Sequence, residues 1–433
     1  MPFRASISML ALLVSPCAAS AADIEFWYGN IGTAEKAIVA ACGAFNAAQQ
    51  AHSVTCVGQG GYEPTMQKAI AAYRSGKHPV LIQFFDAGTL DLMLSDAVVP
   101  VEQAMPEVNW KDYLAGARSF YATSKGELYS QPYNGTTLVF YGNAELLAKA
   151  RIDKLPETYE ELAAVARKLK DAGVECPITT DGHPWRVLEQ VAARHSVPIA
   201  SRHNGYDGLD AEYTFNRGLI AEHLENLLRW RQEGLVKLDQ DTRTGKYTAA
   251  FNSGECALME ASSGLYVDAF KALGDKVMVA QAPMYEGHKR YNTLIGGASI
   301  WLMKGHDEDR IEAARAFLDF IRRDDQQIEF TRATGNLPVT RSALELLQSS
   351  DKTRETEFAT VDAGVRSLSA ESTDDSRGIR LGFYMQFREI FQEETQKAFA
   401  GDQSMSQALD LAVARGNELL RRFEKTYSNV TLP

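Results

Sequence analysis

No apolar run beyond residue 21 reaches the ~18–20 residues that a membrane-spanning helix needs, so the body of this 433-residue chain offers no span. Basic clusters are missing as well. With a formal charge of −11 and a pI near 5.4, nucleic acid is not an expected partner. The eight histidines form no HExxH pair and no cysteine spacing resembles a zinc site, so neither a metal nor another cofactor is expected. Gly58-Gln59-Gly60-Gly61-Tyr62 has neither GxGxxG nor Walker spacing, which leaves a nucleotide site unsupported. Ser262-Ser263-Gly264 lacks the G-x-S-x-G elbow of serine hydrolases. Internal repeats and low-complexity linkers are absent too.

What is present reads as ordinary globular protein: 45% hydrophobic, 23% charged, and long enough for two compact lobes. Arg4 is the only charge before an apolar run from Ile7 to Ser15, and Ala19-Ser20-Ala21 makes a small-residue cleavage site. Residues 1–21 therefore read as a removed secretory signal, cleaved near Ala21, and the mature protein is expected in the periplasm. Four cysteines remain. Cys42 in a helix and Cys56 in the next strand are close enough in sequence to pair or to stay free, and Cys176 and Cys256 can equally be buried thiols.

Strands and helices alternate from the start. Asp23–Tyr28, Ser53–Val57 and Val80–Phe85 read as strands of a largely parallel sheet. Helices fall between them, with Ile38, Ala41, Cys42 and Phe45 inward on the first and a Met66, Ala69, Ile70, Tyr73 stripe on the second. Tyr62 and Asp86 thus stand at loop ends where open α/β sheets hold ligands. Thr158 and Glu161 form a capping box, and Gly173 ends that helix. Val277–Pro283 reads as a strand returning toward the first lobe. Arg341–Gly378 reads as polar and mostly irregular, followed by helices around Met385–Phe399 and Met405–Phe423.

One stretch organises the rest. Leu294–Trp301, with Gly296 and Gly297 adjacent, reads as a buried strand where something approaches the backbone closely. A helix with Ile311, Ala314, Phe317, Leu318 and Ile321 on one face follows. Asp324 with Gln327 resembles a capping box opening another, which Gly335 ends before Asn336-Leu337-Pro338. Strand, helix, helix and a TGxLP bend resemble the extracytoplasmic solute-binding proteins of ABC importers, the group that takes maltose-type sugars and glycerol phosphate. SQPYNGTTLVFY, FNSGECALMEASSG, IGGASIWLMKG and RGIRLG are most similar to its glycerol phosphate-binding members.

The resemblance implies an α/β, two-lobed periplasmic-binding-protein fold of type II, with a ligand cleft at a multi-crossing hinge. Lobe one is expected over 22–133 and 285–345, lobe two over 134–284 and 346–433. It implies a monomeric, non-enzymatic carrier that delivers its ligand to an inner-membrane ABC permease with a cytoplasmic ATPase. Carried across residue by residue, the family's ligand contacts fall on Tyr62, Asp86, Thr136, Ser262, Gly297, Asn336 and Arg388. Arg388, Ser262, Thr136 and Gly297 supply the guanidinium, hydroxyls and freed backbone N–H groups that a phosphate needs. Asp86 would accept from glycerol hydroxyls and Tyr62 would cover the ligand body. The family's glutamate, serine and bend tyrosine are Asp86, Thr136 and Asn336 here, and a cleft tryptophan is Gly182 with Trp185 nearby. A roomier cleft suits glycerol 3-phosphate, a glycerophosphodiester such as glycerophosphocholine, or an oligosaccharide. From another class, a secreted diester hydrolase lacks any metal cluster or nucleophile–base pair.

Overall fold

The computed structural model describes residues 22–349, 358–430 and 432–433; residues 1–21, where the signal is expected, lie outside them. Among the described residues, eleven strands form two sheets. In the first, β1 (Ala22–Tyr28) pairs in parallel with β2 (His52–Gly58) and β3 (Leu81–Phe85). The alternation of β1 places Ile24, Phe26 and Tyr28 in the core, whereas all of LIQFF in β3 is buried, as a central strand requires. The short β4 (Val98–Val99) and β5 (Gln131–Thr136) both pair with β11 (Gly296–Met303), which runs antiparallel to β3.

The second sheet has the order β10 (Val277–Gln281), β6 (Leu138–Asn143), β9 (Cys256–Ser262), β7 (Cys176–Thr179), β8 (Val236–Lys237). The strand expected to turn back toward the first lobe, β10, is thus an edge strand of the second sheet, antiparallel to β6. Thr137 alone separates β5 in one sheet from β6 in the other. The chain crosses again between β10 and β11, and the two crossings are pinned together. Thr137 Oγ1 lies 2.7 Å from Thr293 Oγ1 and 2.9 Å from the Leu294 carbonyl, which also accepts from Gln190 Nε2 at 2.9 Å. Thr137 and Gln190 are fully buried, so water does not compete for these bonds.

Both cysteine pairs form disulfides, Cys42–Cys56 and Cys176–Cys256, so neither of the latter is a free thiol. The second joins register partners on parallel β7 and β9 across 80 residues of chain, against 14 for the first. In the chain-entropy picture it contributes the more, on the order of 4 kcal/mol.

Three local expectations fail for identifiable reasons. Ile70 and Tyr73 are 46% and 37% exposed, because helix Tyr62–Arg74 buries Thr65, Met66 and Ala69 instead. Helix Asp324–Thr334 starts one residue past Arg323, and Gln327 does not cap it. The Gln327 Oε1 accepts from Val339 N and Thr340 N, and its amide donates to the Arg322 carbonyl and Thr340 Oγ1, so it braces the exit bend. The described part of 341–378 is not mostly irregular: Arg341–Ser349 and Ala359–Leu368 are helices, and residues 350–357 lie outside the described residues. By contrast Thr158 caps helix Tyr159–Asp171 by accepting from Glu161 N at 3.1 Å. The last two helices, Tyr384–Ala400 and Met405–Thr426, pack on each other and on helix Leu219–Gln232.

Candidate functional site

The expected ligand residues fall in two groups, one around Asp86 and Arg388 and one along β11. Tyr62 opens its helix, and Gly61 before it has φ +146°, a turn that an L side chain rarely adopts. The Tyr62 ring stacks on Phe85 at 5.3 Å between centroids. Its hydroxyl accepts from Asn134 Nδ2 at 2.9 Å and from Asn30 Nδ2 at 3.2 Å. Gln83, buried at the centre of β3, donates in turn to Asn30 Oδ1 and Asn134 Oδ1. Burial pushes the Tyr62 phenol up to about 12, so it remains a neutral hydrogen-bonding group.

Asp86 follows β3 directly and reaches across to helix Tyr384–Ala400, where Arg388 Nη2 donates to its Oδ1 at 3.0 Å. Arg388 is held from its other side by Glu189, Nε and Nη2 each donating to one carboxylate oxygen at 2.7 Å. All three groups are buried. The guanidinium also lies over the rings of Tyr384 and Phe85, at 5.3 and 5.9 Å. Glu189 ends a π-helical turn, Trp185–Glu189, that passes straight into helix Gln190–His195. Such turns widen the helix and re-aim side chains, here Trp185 and Glu189 toward the same junction.

A second group lies along β11. Thr136 Oγ1 and the Trp185 ring flank Gly296, while Thr136, Ser262 and Asn336 surround Gly264. Ser262 Oγ accepts from Gly264 N at 3.3 Å. Asn336 donates to Thr334 Oγ1 at 2.7 Å, but its Oδ1 and the Trp185 Nε1 are buried with no hydrogen-bond partner among the described residues. Trp230 Nε1 and Trp301 Nε1 in the core are left in the same way, so the two atoms mark this junction only together with the residues around them. Gly297 stands apart from this group in kind. What approaches it is the Asn134 carbonyl of β5, so it serves the junction between strands. Gly182 has φ +69°, a backbone that favours glycine.

Asp86 is held at a carboxylate pKa of about 6, chiefly by loss of water, with Glu189 adding to this and Arg388 opposing it. An unfolded aspartate titrates near 3.9. The folded chain therefore binds the extra proton between these values, and stability falls as pH rises from about 4 to about 6. An Asp86→Asn protein is accordingly expected to unfold at higher urea than wild type at pH 8. The difference should shrink to nothing by pH 4, and an equal midpoint at pH 8 would show that Asp86 is not desolvated.

The sequence-based expectations named Arg388 and Asp86 but not Glu189, Trp185's orphan nitrogen, or the Gln83–Asn30–Asn134 relay. Among the described residues, no set of three metal-binding side chains occurs and no helix is long and apolar enough to cross a membrane.

Residues 40–360 match the family model described as "Bacterial extracellular solute-binding protein". The chain is 32% identical over 98% of both chains to the sn-glycerol-3-phosphate-binding periplasmic protein of Escherichia coli K12. It is 34% identical to that of Yersinia enterocolitica over 96% of both. Among solved structures, the Mycobacterium tuberculosis protein crystallised with glycerophosphocholine superposes with a TM-score of 0.74 at 19% identity, covering 93% of this chain and 99% of that one. The acarbose-binding GacH receptor of Streptomyces glaucescens gives 0.76 at 17% identity, over 95% and 100%. The two-lobed fold is shared with both. The chain belongs to the bacterial extracellular solute-binding proteins, and is a transport component, not an enzyme.

Proposed function

We propose that this chain is the periplasmic receptor of an ABC importer and captures sn-glycerol 3-phosphate or a glycerophosphodiester between its lobes. Its first 21 residues would be the export signal. The lobes expected over 22–133 with 285–345 and over 134–284 with 346–433 would first divide at Thr137 instead, because β5 stays in the first sheet to Thr136. The observation that carries the reading is the convergence of Thr136, Ser262, Asn336 and Trp185 at the sheet junction, with two buried polar atoms unpartnered. Tyr62 is tied to the Gly297 side through Asn134, and Asp86 and Arg388 are paired with each other. Near full-length identity to proteins named for glycerol phosphate supports the ligand class.

Thr137, Thr293 and Leu294 lie at the crossings about which two lobes would open and close. A ligand that touches both lobes stabilises the closed arrangement by its differential contacts. The loaded monomer would then be presented to the permease subunits. Asn336 and Gly182, shorter than the family's aromatic residues, favour room for a diester head group.

Thermal unfolding of the mature protein with glycerol 3-phosphate, glycerophosphocholine, maltose or inorganic phosphate tests this. A glycerol phosphate at 100 times its Kd should add about 2.7 kcal/mol and raise the Tm by several degrees. A rise with maltose alone would overturn the ligand class while leaving the family intact.

A further inference from the structure

Arg388 is the cation held against Asp86, and its charge is already engaged; Arg186, beside Trp185, is paired with Asp181. Glu189 takes Nε and Nη2 from within the same lobe, and Asp86 takes Nη2 again from the other. Nη1 makes no hydrogen bond to any described residue. One positive and two negative groups, all buried, leave this end of the cleft with a net charge of −1 when both acids are ionised. A doubly charged phosphate monoester entering here would meet an excess of like charge in a medium that screens poorly. A phosphodiester carries a single charge and meets less.

We propose that Glu189 is the positioning residue of Arg388 and, through the charge it brings, the determinant that makes the cleft prefer a glycerol phosphodiester to a phosphate monoester. This rests on the glycerol phosphate reading given above. The bidentate pair fixes the guanidinium plane, so its Nη1 edge and the edge shared with Asp86 are what a ligand can reach. The anion then competes with Asp86 for Nη2, and the interlobe contact is exchanged for a ligand contact as the cleft fills.

Several titratable groups face this triad. Tyr62 and Tyr121 lie toward Asp86, and Tyr213, Tyr384 and His183 toward Arg388. Burial holds the four phenols above their ordinary range and His183 down to about 3, so all stay neutral from pH 5 to 8. Asp86, Asp91, which lies beside Tyr213 and which burial holds up to about 7, and the ligand's own phosphate, whose second ionisation lies near 6, change over that range.

The test is calorimetric titration of the full mature chain with glycerol 3-phosphate and with glycerophosphoglycerol, a diester with an uncharged head. At pH 8 the wild-type protein should bind the diester at least tenfold tighter. Glu189→Gln should narrow that gap to threefold or less, chiefly by tightening the monoester, while Glu189→Asp keeps it. A Glu189→Gln protein that loses both ligands alike, with the gap unchanged, would reduce Glu189 to a structural role and overturn the proposal. The wild-type gap should also close between pH 8 and pH 5.5; a gap constant over that range overturns the proposal even if the variant does not fold. Tight monoester binding with no diester preference would sink the selectivity but leave the ligand class standing, whereas binding of neither ligand removes both.

Discussion

Replacing Arg388 by alanine is expected to destabilise the ligand-free protein by about 3–5 kcal/mol at pH 8, the range for a buried ion pair stripped of one partner. The reason lies in what remains. Glu189 and Asp86 are 1% and 5% exposed, and both direct carboxylate oxygens at the space the guanidinium occupies. Without it, two acids confront each other in a poorly hydrated site, and neither has another cation within salt-bridge distance among the described residues. Urea unfolding at pH 8 and pH 5 checks this. The deficit should be smaller at pH 5, because Asp86 readily takes a proton there. Arg388→Lys should recover part of it, since an ammonium restores charge but not the two-point hold on Glu189. An alanine variant as stable as wild type without ligand would mean the triad is not closed in the free protein. Loss of affinity alone cannot substitute for this measurement, because a site that has collapsed also fails to bind.

Where the sequence was legible, local chemistry and tertiary need agreed. The apolar run of β3 and the glycine-led run of β11 could only be buried strands, and Thr158 with Glu161 could satisfy a helix start without outside help. Arg388 and Asp86 came through the resemblance, on loops and helix positions the fold then brought within 3.0 Å. Illegible features were those whose local signal pointed elsewhere. Gln327 carries capping-box spacing, yet the bend at Val339–Thr340 has unpaired N–H groups that its side chain meets better. Glu189 is a lone acid, a type that usually marks a solvated helix face. Its only sign was position, between Leu188 and Val191 in a largely apolar run from Val187 to Ala193. A π-turn leaves no spacing rule to read. Helix Ala359–Leu368 was missed because its polar residues hid a buried face of Val361, Ala363 and Leu368 against the second sheet.

The adjacent glycines of β11 should separate fold from site when each is changed to alanine. Gly297 has φ +99°, and a Cβ there would stand 2.0 Å from the Asn134 carbonyl oxygen, an atom of the β5 backbone paired to β11. Backbone cannot step aside as a side chain can, so the strands must part or the peptide must turn, at a cost on the order of 3 kcal/mol. The loss should appear as a lowered urea midpoint with or without ligand. Gly296 lies one residue away in an unstrained backbone, and the obstacle to its Cβ is the Trp185 ring, 2.6 Å away at Cζ2. A ring can swing. Gly296→Ala should therefore stay within about 1 kcal/mol of wild-type stability yet lose at least tenfold in affinity, about 1.4 kcal/mol, as Trp185 and Thr136 Oγ1 are pushed from the junction. Normal affinity in a stable Gly296→Ala protein would take Trp185 out of the ligand's surroundings. An unchanged midpoint for Gly297→Ala would mean that β5 and β11 are not so closely joined. Since Thr137 alone carries the chain from β5 to β6 in the second sheet, a loosened β5–β11 junction would also loosen the hinge, and Gly297→Ala should lower the cooperativity of unfolding as well as its midpoint.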